Sequence, residues 1–292
     1  MEQVECFPWE YSLGKPSNTL KGWVCSYSGY REEVGQPVCR LEIPKERVIL
    51  ILGFSGRLHI SSVGSRLVPS RYKAFIVGLG ENPLLAEHNG AQHGIEIELL
   101  PWVIDRLFGR AATELTQEVV HLDDLWGNYA HLLVEQLSEM SSWEERFSLV
   151  DRVLLEKFAL SNRIIRPEIQ WAWNQLEHHK GCIPIRQLAE RVGWSDRHFA
   201  KCFREQIGIT PKAAARLIRF NHAHRVLKSS GHYPLSEIAA ICGYSDQSHF
   251  TREFHSFSQC SPAVYQNAQF VDLLGTPGDI IKPEARSILF KT

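Results

Sequence analysis

Two hydrophobic periodicities divide this chain. Between residues 20 and 100, apolar residues come in short runs rich in β-branched and aromatic side chains. Residues 22–27, 48–52, 58–60, 74–77 and 94–99 each read as a strand. Gly53, Gly56, Gly64, Pro69, Gly80-Glu81-Asn82-Pro83 and Asn89-Gly90 are the turn signals among them. Many short strands at close spacing predict an antiparallel sandwich or small barrel. After Pro101 the period lengthens to that of a helix. Pro101 starts a short helix that ends near Gly109. Residues 122–137 and 143–160 read as longer amphipathic helices, the first with Leu132, Leu133 and Leu137 as its apolar stripe. Ser142 followed by Glu145 is a capping-box pattern at the start of the second. The polar stretch 161–167 ends in proline and marks a boundary, after which 168–179 reads as a helix.

The remaining pattern is an internal repeat. Ile185, Leu188, Ala189, Val192, Gly193, Trp194, Ser195 and Asp196 are matched by Leu235, Ile238, Ala239, Cys242, Gly243, Tyr244, Ser245 and Asp246. One extra residue then enters the second copy, and Phe199, Phe203, Thr210 and Pro211 are matched by Phe250, Phe254, Ser261 and Pro262. Each copy predicts a supporting helix, a glycine turn and a second helix with its aromatic pair facing inward, which is a helix-turn-helix unit. Ser195 suits the N-cap of the first unit's second helix. The outer face of that helix carries Arg197, Ala200, Lys201 and Arg204; its counterpart carries Gln247, Ser248, Thr251 and Arg252. Arg, Gln, Ser and Thr have groups that read base edges in a major groove, while Ser195, Ser245 and the helix N-termini suit phosphate oxygens, as do Arg204 and His249. Between the units, 211–228 reads as one helix with the stripe Leu217, Phe220, Ala223 and Leu227. At 1.5 Å per residue it would be roughly 25 Å long, compatible with two recognition helices about 34 Å apart on one face of double-stranded DNA.

Composition adds three things. The 292-residue chain has 44% hydrophobic residues, enough to bury a core, and its length suits two domains. Its net charge of −1 hides an asymmetry: residues 1–162 carry net −7, and residues 163–270, which hold the repeat, carry net +6. A basic helical half points to an anionic partner there. No apolar stretch is long enough to span a bilayer, the acidic N-terminus lacks a signal-peptide core, and the seven cysteines show no metal spacing. A cytoplasmic protein with reduced thiols and no membrane partner is the expectation.

The C-terminal motifs resemble the AraC/XylS family of bacterial transcription regulators. The resemblance rests on Leu-Ala-Glu-Arg-Val-Gly-Trp-Ser at 188–195, Gly-Ile-Thr-Pro at 208–211 and Arg-Phe-Asn-His-Ala at 219–223. It rests most of all on Gly-Tyr-Ser-Asp-Gln-Ser-His-Phe-Thr-Arg-Glu-Phe at 243–254. It implies two helix-turn-helix subdomains joined by a linker helix, with base-reading positions at Arg197, Ala200, Lys201, Gln247, Ser248, Thr251 and Arg252. Ala200 has only a methyl to offer, for instance to a thymine methyl. Gln259 departs from the family pattern, which has glycine there. Residues 92–101, 107–109 and 120–125 resemble the cupin-like sensor region of one group of these regulators, which implies a role in effector binding or dimerisation.

The expected fold class is therefore α+β and multidomain. A cupin-like β-sandwich or barrel at 1–110 is followed by helices for packing or dimerisation at 111–162. An all-α tandem helix-turn-helix domain at 163–270 is followed by a loosely held tail at 271–292. The expected function is an effector-responsive activator of transcription, acting on DNA with RNA polymerase; homodimer formation is left open. No enzyme or cofactor signature appears: there is no GxSxG, P-loop or GxGxxG. Two alternatives stay open. His88, His93 and Glu96 are the metal-like cluster that a cupin enzyme tethered to DNA would need, although the usual His-x-His pair is missing. Cys6, Cys25 and Cys39 would serve a thiol-responsive regulator, whereas Cys202 and Cys242, like Trp171 and Trp173, fall at core positions.

Overall fold

The computed structural model describes residues 9–63, 69–109, 112–229, 233–268, 275–278 and 281. The chain begins with nine strands, β1 (Trp9–Gly14), β2 (Val24–Glu33), β3 (Val38–Glu42), β4 (Val48–Ser55), β5 (Leu58–Ser62), β6 (Ser70–Tyr72), β7 (Ala74–Val77), β8 (Leu84–His88) and β9 (Ala91–Leu99). A 3-10 turn leads into α1 (Ile104–Phe108), and β10 (Val119–His121) then precedes α2 (Leu122–Trp126), α3 (Asn128–Glu139) and α4 (Trp143–Ala159). The rest is helical: α5 (Pro167–His178), α6 (Ile185–Arg191), α7 (Asp196–Ile207), α8 (Pro211–Lys228), α9 (Leu235–Ile241), α10 (Gln247–Ser258) and α11 (Pro262–Asn267). The chain is thus an α+β protein, with antiparallel sheets first and the helical region after them.

A six-stranded sheet, ordered β1-β2-β9-β4-β7-β10, faces a four-stranded sheet, ordered β3-β8-β5-β6. Seven of the eight residues of β4 are buried, because its sheet is covered on both sides. Leu50 and Leu52, with Ile76 and Ile97 from neighbouring strands, join the main core beneath α3 and α4. Ile49, Ile51 and Phe75 point the other way and meet Ile60, Tyr72 and Ala86 between the sheets. That inner layer does not fill the space: a cavity of about 360 Å³ remains.

The five strand segments read from the pattern are present as parts of β2, β4, β5, β7 and β9. The other strands were not anticipated. β1 and β3 break their apolar residues with charged or polar ones, and β6 and β10 have three residues each, too few to show a period. The six-stranded sheet takes its last strand, β10, from beyond the expected 1–110 segment. The single helix expected at 122–137 is two helices, α2 and α3, because Gly127 (φ 58°, ψ −144°) leaves the helical region. Leu133 and Leu137 are buried on α3, but adjacent Leu132 faces outward at 49% exposure, since neighbours in sequence lie about 100° apart around a helix. The capping box of Ser142 and Glu145 is formed in both directions. The tail, expected to be loose, is tied down where it is described: the Leu41 amide donates to the Thr276 carbonyl at 2.8 Å, and Pro277 bridges to Arg40 of β3.

In the helical half, Phe199, Phe203, Phe250 and Phe254 are fully buried. Each contributes about 1.5–3 kcal/mol relative to an exposed side chain. Helix α8 lies among them, its buried residues distributed around nearly its whole circumference rather than along one stripe. The two units close differently. Gly208 follows α7 with φ 97° and passes the Ala112 carbonyl so closely that a Cβ would sit 2.8 Å from it. Gln259 follows α10 in the left-handed region (φ 58°, ψ 14°), so the turn keeps its form without glycine. Left-handed backbone costs a non-glycine residue on the order of 1 kcal/mol. Gln259→Gly is therefore expected to raise unfolding stability by up to about 1 kcal/mol, and Gly208→Ala to lower it by about 1–3 kcal/mol, in urea titrations of the two variants.

Candidate nucleic-acid interface

The two repeats fold into matching turns. In the first, the Gly193 amide donates to Glu190 O (3.1 Å) and the Trp194 amide to Ala189 O (3.0 Å). In the second, Gly243 donates to Ala240 O (3.2 Å) and Tyr244 to Ala239 O (2.9 Å). This is the Schellman arrangement, and both glycines take the positive φ it needs, 74° and 75°. Ala189 and Ala239 are buried where α6 and α9 meet the helices that follow. The turn then delivers α7 and α10 with their phenylalanines inward and their other faces open.

The N-terminus of α7 is capped as predicted: Ser195 Oγ accepts from the His198 amide at 3.3 Å. In α10 the extra residue moves the cap from Ser245 to Asp246, which accepts from the His249 amide at 2.7 Å. Asp246 is held below the usual carboxylate range, first by that amide and then by the Ser245 hydroxyl. Ser245 Oγ is engaged with both Asp246 (3.1 Å) and His249 Nδ1 (3.1 Å). An ionised carboxylate thus holds the amide that a phosphate at the α10 N-terminus would use, which weakens Ser245 as a phosphate contact. His249 is half-buried, edge-on to Tyr244.

Arg197, Lys201 and Arg204 are exposed along α7, with Ala200 partly covered between them. On α10, Gln247, Ser248 and Arg252 are exposed and Thr251 is partly covered. Lys201 lies 3.9 Å from Glu205, a solvated pair worth little. Among the described residues Arg197, Arg204 and Arg252 form no ion pair. These faces offer cationic and amide groups at no cost in broken internal contacts.

The other candidates do not converge. His88, on β8, is buried near Glu32 (3.3 Å), whereas His93, on β9, is held edge-on by Phe54 and Trp143. Glu96 is paired with Lys45 at 2.6 Å. Among the described residues no group of three or more His, Cys, Asp or Glu side chains is placed to hold a metal. Cys25 is exposed, yet the protein around it desolvates its thiol and raises its pKa despite neighbouring Arg47; Cys39 is half-buried. Cys6 lies outside the described residues. Cys202, Cys242 and Trp173 are core residues. No helix among the described residues is long and apolar enough to cross a membrane.

Sequence reasoning missed the seam between the two halves. Asn221, in the middle of α8, donates to Pro44 O at 3.1 Å and to Leu217 O at 3.0 Å. Arg225 pairs with Glu46 at 2.7 Å, and Arg47 with Glu177 of α5. Arg216 reaches Glu81 at 2.7 Å and Glu253 at 3.1 Å, while Arg219 grips both oxygens of Glu253. Nothing in the spacing of single charged residues pairs 44–47 or 81 with helices 130–179 positions away.

Two helix-turn-helix units on one rigid helix define a class of DNA-binding fold. Residues 188–268 match the family described as Helix-turn-helix domain. YbfI, an uncharacterised HTH-type transcriptional regulator of Bacillus subtilis, is 38% identical over 73 residues, covering 25% of this chain and 26% of its own length. An uncharacterised HTH-type transcriptional regulator of Haemophilus influenzae is 33% identical over 84 residues, covering 29% of this chain and 28% of its own length. The chain therefore spans only about a quarter of the length of these relatives. Among solved structures, ToxT of Vibrio cholerae is similar at 12% identity and a TM-score of 0.46, over 89% of this chain and 97% of ToxT. The C-terminal part of the chain is a helix-turn-helix domain of the AraC type.

Two measurements test this geometry. Glu253 is 6% exposed, so Arg219→Ala leaves a buried carboxylate short of its bidentate partner. It is expected to cost about 3 kcal/mol in urea unfolding, with Arg219→Lys restoring only part of it. His224, on α8, is held neutral by burial, with its pKa pushed down to about 3. The unfolded chain protonates this residue near 6.5, so its contribution is fully present above that pH and is lost as pH falls from 6.5 toward 3. Stability is expected to drop by about 2 kcal/mol between pH 7 and 5 through this group, and His224→Gln to flatten that slope.

Proposed function

We propose that this protein is a transcription regulator that reads two adjacent major grooves with α7 and α10 and responds to a small molecule held in its N-terminal half. In this reading residues 1–162 form the sensing part and residues 163–270 the DNA-binding domain. The observation that carries it is the pair of matching turn-and-helix units whose outer faces expose Arg197, Lys201 and Arg252 beside Gln247 and Ser248. Arg197, Lys201, Gln247, Ser248, Thr251 and Arg252 are assigned to base edges, with Ala200 as an apolar contact. Arg204, Ser195 and His249 are assigned to phosphates, the last through Nε2.

The cavity between the sheets supports the effector role, because a packed core would have filled it. Coupling follows from the seam. Residues Ile43, Pro44, Lys45 and Arg47 line the cavity, and Pro44 and Arg47 also bond to α8 and α5. A ligand that binds the cavity better in one arrangement of the seam shifts the population toward that arrangement. Activation through contact with RNA polymerase is the proposed output.

Selection from a random DNA pool with the purified protein, at fixed salt, tests the reading. Two boxes about one helical turn apart are expected. Arg252→Ala should then weaken binding to the selected site by about 1–3 kcal/mol and relax base preference at one position. Arg204→Ala should weaken all sequences alike and lower the salt slope by about one. A uniform loss with Arg252→Ala would move that residue to the phosphate class; no enrichment from the pool, with and without ligand, would sink the reading.

A further inference from the structure

The cavity has two unlike ends. On one, Ile49, Ile51, Phe75 and Val77 of the larger sheet face Ile60 and Leu84 of the smaller. The other is walled by β2, β9 and β3. There Tyr30 and Glu32 on β2, and Gln92 and Glu96 on β9, share the inner face of the larger sheet, and Arg40 and Glu42 lie opposite on β3.

The charges at this end do not balance. Arg40 spans the two sheets to Glu32 at 2.6 Å, with both side chains largely buried. Lys45 is shared by two carboxylates, Glu96 at 2.6 Å and Glu98 at 3.2 Å. Glu42 is left over: among the described residues it has neither an ion pair nor a hydrogen bond. Much of its side chain is accessible, but that surface opens on the cavity, and the surrounding protein still desolvates it. Burial, reinforced by Glu96 and Glu32, raises its pKa against the opposing pull of Lys45 and Arg40. On this wall Nε2 of Gln92, a side chain only 4% exposed, also lacks a partner among the described residues. Buried polar groups left unpaired cost free energy that a ligand can recover.

An anionic head group is a poor fit. Arg40 and Lys45 are already committed to carboxylates, and a further negative charge would face three that line this end, Glu32, Glu42 and Glu96. A protonated amine meets the opposite situation at Glu42, a carboxylate with no ion pair of its own among the described residues. We propose that the cavity takes an amphiphilic amine: an apolar aryl or alkyl body lying among the isoleucines and Phe75, and an ammonium head paired with Glu42. This rests on the reading of the cavity as an effector site, and it names the class of ligand.

The test uses the full chain and a matched series, 4-phenylbutylamine, 4-phenylbutyrate and 4-phenylbutanol, titrated by calorimetry at pH 7. The amine is expected to bind at least about tenfold more tightly than the acid. Glu42→Gln should weaken the amine about tenfold and leave the alcohol unchanged. Glu42→Lys, a second variant, should reverse the preference in favour of the acid. Unchanged melting temperature and unchanged affinity for the selected DNA would show that both variants are folded. Tighter binding of the acid to the unsubstituted protein, or no loss of amine binding with Glu42→Gln, overturns the proposed head group and leaves the effector reading standing. If none of the three compounds binds, the cavity is not a ligand site of this kind, and both readings of it fall together. DNA selection remains a separate test of the helix-turn-helix domain.

Discussion

The structure depends on helix α8 being enclosed. Ala214, Ala215, Ala223, Leu217, Ile218, Phe220 and Leu227 are buried on almost every side, and even the polar Asn221 is 5% exposed. An enclosed helix has one position and one rotation, because every displacement opens a void or drives a side chain into its neighbour. Both helix-turn-helix units are built against this element, α7 of the first and α9 and α10 of the second, with Phe220 against Phe254 and Phe257. Their recognition helices are fixed relative to one another as a result. The Asn221 amide, which cannot be buried unpaired, extends the same constraint to Pro44 in the N-terminal half.

The N-terminal half obeys a different rule. Its large sheet sends one set of side chains to the helices and the other to the space between the sheets. The first set builds the main core, so stability does not require the second to close up. That freedom is what lets a cavity persist, with charged groups at one end that a packed interior would not accept. The segment after β3 then does two jobs. It lines the cavity through Ile43 and Lys45, and it meets the helical half through Pro44, Glu46 and Arg47. The described part of the tail does something similar, pairing Thr276 with β3 while Gly275 lies at the cavity. The segment after β3 therefore touches both the cavity and helices α5 and α8 of the C-terminal half.

The sequence by itself determined the helix-turn-helix units. Their signals are local: a glycine at a left-handed turn, a cap, an aromatic pair four residues apart and the same order written twice. Such features lie within one or two helical turns, where backbone geometry links sequence distance to spatial distance, and the exposed residues on α7 and α10 follow from helical phase alone. In the second unit the single inserted residue puts the cap on Asp246 rather than Ser245. Only the tertiary structure decided the rest. Strands β1, β3, β6 and β10 exist because neighbouring strands offer them hydrogen bonds. The seam pairs residues separated by well over a hundred positions. The unmatched charge of Glu42 emerges only when Arg40 and Lys45 are seen to be taken by other carboxylates. Each of these is a property of which groups meet across the fold, and no periodicity along the chain encodes that.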